Sequence, residues 1–168
     1  LGGFGINKLL SMSRKKLSIV FLLLILPSPL YFDYYLLTNP QLAPLPKAER
    51  NGYLENWTAG YGFKEIATFL IDESKKGKVV VATEGFFGTL PDGLYIYLDK
   101  SNIAIVGSTA TISAQLRQTA KDKKTFFVGN KKNLEGSLSN AKKILEFPKA
   151  KLKDNTLQDS SVLYQVLP

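Results

Sequence analysis

Cysteine and histidine are both missing from this chain, and tryptophan and methionine occur once each. Without cysteine there is no disulfide framework, and the redox compartment leaves no trace. Neither a Ser-His-Asp nor a Cys-His apparatus can be assembled from these residues, and zinc sites of the usual kind are excluded. No metal ligands and no resident cofactor are expected. Chemistry within the chain would rest on Asp, Glu, Lys, Tyr, Ser or Thr. Acidic residues are scarce too, 14 against 22 lysines and arginines, which leaves a formal charge of +8. Such an excess fits a solvated lysine-rich surface, and it also suits an anionic ligand or membrane. Aromatic residues do not interleave with the lysines of 121–153, so single-stranded nucleic acid is not an expected partner.

One long apolar run is present, at residues 17–37. A helix of that length rises roughly 30 Å, the thickness of a bilayer core. Lys8, Arg14, Lys15 and Lys16 precede it within a basic segment, 1–16, that has no acidic residue. The positive-inside rule then puts that segment in the cytoplasm and everything after the span outside. Tyr31, Tyr34, Tyr35 and Asp33 fall toward the outer interface, where such side chains are tolerated. Pro27 and Pro29 are expected to kink the helix or end its regular part. A signal-peptide core and a buried soluble helix are the competing readings, but no small-residue cleavage site follows promptly and the hydrophobicity runs all round.

Residues 38–51 carry Pro40, Pro44 and Pro46 and read as an extended linker. A domain is expected over 52–168. Asn56-Trp57-Thr58 matches an N-glycosylation pattern, with Trp57 read as a packing anchor. Residues 63–75 place Phe63, Ile66, Ala67 and Leu70 at helical spacing, with Gly77 as the C-cap. A β-branched strand at 78–83 follows, then a helix at 90–98 with Pro91 and Asp92 in its first turn. Strands at 102–106 and 124–129 flank a helix at 113–123. A loop with a short helix covers 129–141, and a strand at 143–147 ends at Pro148. A charged connection, 149–160, leads to a last strand at 161–167. The series predicts a small three-layer, Rossmann-like α/β domain with a mostly parallel sheet and an antiparallel edge hairpin, preceded by one transmembrane helix.

Ligands of open parallel sheets sit beyond the carboxyl ends of the strands. That edge would carry Thr83, Glu84 and Gly85 with Phe86, Phe87 and Gly88, then Gly107, Ser108 and Thr109, then Gly129 and Asn130. The candidate ligand-binding residues are Glu84, Gly85, Thr83 and Asn130. Glu84 is the one carboxylate there, suited to a cation or sugar hydroxyl, and equally to capping a helix or pairing with a lysine. Glycoside chemistry would need a second carboxylate, so no catalytic residue is assigned. Gly85-Phe86-Phe87-Gly88 lacks the spacing of a phosphate loop. Gly85 is read as a positive-φ turn, and Phe86 and Phe87 as core residues or an exposed pair.

The stretches Trp57–Ile66, Val79–Gly88, Leu90–Leu94 and Leu163–Pro168, with the apolar span and its Tyr31-Phe32-Asp33-Tyr34 ending, resemble the C-terminal region of bacterial polytopic membrane glycosyltransferases. These are similar to the dolichyl-phosphate-mannose protein mannosyltransferases of the GT-C architecture. The resemblance implies transfer of a sugar from a polyprenyl-phosphate donor to an acceptor outside the cytoplasm. It implies a catalytic carboxylate in a first outer loop that has no counterpart here, so the chain alone is expected to be inactive. Its implied partners are membrane lipid, a preceding bundle of spans, and a glycan or protein acceptor. The alternative is a single-pass anchored module that binds glycan or protein outside the cytoplasm.

Overall fold

A computed structural model describes residues 15–134, 138, 140–151 and 158–168. Two compact units are present, one ending at Leu45 and the other spanning Pro46–Pro168.

In the first unit, helix α1 (Lys15–Ile25) and helix α2 (Pro27–Thr38) are separated only at Leu26. Leu26 keeps helical dihedrals, its N–H donates to the Leu22 carbonyl, and its own carbonyl accepts from Leu30. Pro27 and Pro29 each remove one donor, yet helical hydrogen bonding carries across them. Residues Ile19–Thr38 thus form one helical stretch with a mean hydropathy of 1.7 and none of it buried. Its length and composition suffice to cross a membrane. Asp33 is its sole charged residue.

The segment expected to be extended is largely helical. A 3₁₀ turn forms at Pro40–Leu42, helix α3 covers Lys47–Arg50, and a π turn follows at Asn51–Glu55. Proline density misleads here because Pro40 opens its helical turn and Pro46 immediately precedes one, positions where a missing N–H costs nothing. The wide π turn brings Arg50 and Glu55, five residues apart, into an ion pair with Glu55 buried. Ala150 N–H donates to the Leu54 carbonyl and fastens this turn to the rest of the unit.

The sheet contains strands β1 (Val79–Glu84), β2 (Ala104–Ser108), β3 (Lys124–Asn130), β4 (Ala141–Pro148) and β5 (Ser160–Val166). Their spatial order is β2-β1-β3-β5-β4. β1 pairs in parallel with β2 and β3, while β5 runs antiparallel to both β3 and β4. The sheet is therefore mixed, with the expected hairpin at one edge.

Helices α4 (Phe63–Ser74) and α5 (Thr89–Leu98) cover one face. Phe63, Ile66, Leu70, Leu90, Leu94 and Leu98 pack there against Val79, Val81, Phe126, Val128 and Leu163. Each such side chain stabilises the fold by about 1.5–3 kcal/mol on burial. The other face packs Ala82, Phe127, Val162 and Val166 against Ile112, Leu116 of helix α6 (Ala114–Thr119) and Leu134 of helix α7 (Lys131–Leu134). Helix α6 is shorter than 113–123 because its apolar face offers little beyond Leu116. Ala104 and Val106 of β2 stay exposed.

Gly62 enters α4 at φ +80°, and a Cβ built there would lie 2.3 Å from the Phe147 ring. Only glycine meets both conditions. Gly77 is not the expected C-cap: the helix ends with Lys75 in the right-handed region, and Gly77 has no positive φ. Trp57 is not a packing anchor either, since half of its surface is exposed.

Candidate functional site

β1, β2 and β3 run the same way, so their carboxyl ends meet at one edge. β5 starts at that edge and β4 ends there, with Pro148 opposite Ser160. Residues from four strands and from the segment before α4 thereby converge.

Glu84 ends β1 half-buried. Its Oε2 accepts from the Asn130 backbone N–H at 2.6 Å and from Asn130 Nδ2 at 3.2 Å. Its Oε1 accepts from Asn133 Nδ2 of α7. Asn130, 2% exposed, ends β3. Its amide orientation is fixed from both sides, with Nδ2 toward the Glu84 carboxylate and Oδ1 toward the ammonium of Lys149.

Lys149 follows β4 and is wholly buried. Its Nζ donates to Asn130 Oδ1, to the Asn56 carbonyl at 2.9 Å and to Asp159 Oδ2 at 3.2 Å. Three donors meet three acceptors, the full capacity of an ammonium group. Burial pushes the Lys149 ammonium below the ordinary lysine pKa, and the charges of Asp159 and Glu84 oppose that shift. Asp159 is buried as well. Its Oδ1 accepts from the backbone N–H groups of Ser160 at 2.9 Å and Lys132 at 3.2 Å. Glu84 and Asp159 thus both receive backbone donors around the start of α7. Ser161 Oγ is the one buried side-chain polar atom without a partner among the described residues.

Of the four residues proposed from sequence, Glu84 and Asn130 touch. Thr83 is buried and donates through Oγ1 to the Gly85 carbonyl at 3.4 Å. Gly85 takes the expected positive φ, +86°, and its N–H donates to the Ser108 carbonyl at 2.7 Å, closing β1 onto β2. The reading of Phe86 and Phe87 as core residues is overturned, for they are 68% and 86% exposed. Phe86 lies over Gly107, where a Cβ would come within 2.7 Å of the Phe86 Cα. A groove of about 390 Å³ lies beside Phe86, lined also by Val106, Ser108, Thr109 and Leu116. Neither Glu84 nor Asn130 lines that groove.

Lys149, Asp159 and Asn133 escaped the sequence reading. Lys149 and Asp159 belong to a segment read as a charged connection, whose centre, 152–157, lies outside the described residues. The faint signal was Phe147-Pro148 just before Lys149, an apolar pair at the end of a strand.

Chemically, the cluster is a closed network. Carboxylates, amides and ammonium satisfy one another across chain separations of 10 to 93 residues. Among the described residues no group of His, Cys, Asp and Glu could hold a metal ion. Comparison with family models, curated proteins and solved structures finds no match.

Proposed function

We propose that this chain is the membrane-anchored, non-catalytic end of a GT-C glycosyltransferase that uses a polyprenyl-phosphate sugar donor, with its α/β unit outside the cytoplasm. The observation that carries the non-catalytic part is the bonding of Glu84. Three donors already occupy its oxygens, two of them from Asn130, whose Oδ1 is in turn engaged by Lys149. A general acid or base must reach its substrate's proton, and this carboxylate is engaged in holding β1, β3 and α7 together. The unburied apolar stretch Ile19–Thr38 supports the anchor, and the basic residues before it support an inside-to-outside orientation. The reading of the domain as three-layered and Rossmann-like belongs with this proposal, supported by helices on both faces of the β1–β3 unit.

The test is transfer from a polyprenyl-phosphate sugar to peptide or glycan acceptors by this chain alone. No turnover above background is expected, and robust turnover would overturn the proposal. Reading the gene upstream of Leu1 gives an independent check. Further apolar spans with an acidic first outer loop support it, and an immediate start codon refutes it.

A second reading, an anchored module that binds glycan or protein, draws on the exposed pair Phe86 and Phe87, the first of which lines the groove. Saturable binding of an envelope glycan that Phe86→Ser weakens would favour it.

A further inference from the structure

We infer that a lysine-lined cleft at the amino edge of the sheet, opposite the Glu84 cluster, binds a phosphate-bearing anion. The cleft, open to solvent, has a volume of about 930 Å³ and lies between the end of α4, the start of β1, the end of α5 and the start of β2. That volume lies within the usual range for small-molecule sites. Lys75, Lys76, Lys78, Lys100 and Lys123 line it, and no Asp or Glu does. Val79, Val80 and Ala104 give it an apolar wall, and Tyr97 offers a half-exposed phenol.

The competing explanation is that these lysines merely offset helix dipoles. Helices α4, α5 and the short α6 end at this edge, the last capped by the Lys123 N–H on the Thr119 carbonyl, and each carboxyl end carries at most roughly half a negative charge. Lys75 and Lys76 are accounted for locally, by ion pairs to Asp72 at 2.7 Å and Glu73 at 2.6 Å. Glu73 is shared further with Lys124. Lys78, Lys100 and Lys123 form no ion pair among the described residues. Asp99 and Asp122 stand beside two of them in the chain, yet neither lines the cleft. Three ammonium groups without an ion pair exceed the roughly one and a half charges of three helix ends, and all three residues line one cleft. Lysine ammonium groups bind phosphate through charge-assisted hydrogen bonds, and the apolar wall suits the organic part of a phosphate ester. The source is a lipid headgroup or a soluble phosphate compound. This inference is independent of the glycosyltransferase reading.

Lysine-acetylation footprinting of the full chain tests it in two arms. One uses a neutral detergent with inorganic pyrophosphate. The other uses phosphatidylcholine vesicles with and without about one quarter phosphatidylglycerol. Slower labelling of Lys78, Lys100 and Lys123, by about threefold or more relative to the exposed Lys64 and Lys142, is expected in at least one arm. Protection by pyrophosphate alone assigns a soluble ligand, protection by phosphatidylglycerol alone a lipid, and protection in both the shared phosphate. No protection, or equal protection at Lys64 and Lys142, overturns the inference. A variant combining Lys78→Gln, Lys100→Gln and Lys123→Gln changes only exposed side chains. It should weaken calorimetric binding of the protecting anion, pyrophosphate or phosphatidylglycerol vesicles, by about tenfold or more, and unchanged affinity would overturn the inference.

Discussion

Lys149 shows how much one side chain can organise. Its ammonium joins Asn56, Asn130 and Asp159, which come from three separate parts of the chain. A buried charge is tolerated only with such partners. Replacing it by alanine strands Asp159 in the interior and should cost about 3–5 kcal/mol in urea unfolding. Combining Lys149→Met with Asp159→Asn should cost clearly less than the sum of the two single changes, by about 1 kcal/mol or more. Additive losses would mean that the pair is not coupled. Glu146 makes the opposite, surface kind of pair. Lys143 and then Lys131 pull its carboxyl from 4.5 down to about 2. A depressed acid stabilises the fold above its unfolded pKa, and that contribution fades as pH falls from 4.5 toward 2. Both lysines are about half exposed, so the effect is about 1 kcal/mol. Glu146→Gln should be less stable than the parent by that amount at pH 7, and the gap should close near pH 2. A constant gap would assign the loss to packing.

At the scale of elements, two glycines that look alike in the sequence behave differently. Gly62 opens α4 under the Phe147 ring with positive φ, whereas Gly77 follows α4 in open space. Gly62→Ala should cost about 2–4 kcal/mol, from the left-handed backbone and the clash together. Gly77→Ala should be neutral or stabilise by about 0.4–1 kcal/mol, through the unfolded chain. Thermal unfolding of the two variants decides the point, and equal losses would contradict the assignment. The elements themselves were mostly legible. The stripe Phe63, Ile66, Ala67, Leu70 marks α4, and the run Val79-Val80-Val81 marks β1, because period and β-branching act locally. The prolines before Lys47 misled, since the same residue breaks a helix or starts one according to position. Phe86 and Phe87 misled as well, because two adjacent aromatics carry no periodicity, and the fold of the Gly85 loop decides their exposure.

Over the whole molecule, the strand order was the hidden quantity. β5, last in the chain, inserts between β3 and β4 and sets its Ser161 opposite Asn130. No local pattern encodes which strands become neighbours. That placement, more than any motif, brings Lys149 and Asp159 beneath Glu84 and turns a candidate ligand site into a closed network. The sequence by itself determined the apolar stretch of bilayer length, the absence of cysteine and histidine chemistry, and the α/β alternation. These depend on composition and on periods of a few residues. Only the tertiary structure decided that β5 lies between β3 and β4, that Glu84 is held by Asn130 and Asn133, and that five lysines share one cleft. Those facts rest on contacts between residues far apart in the chain, whose free energy exists only once the chain has closed on itself.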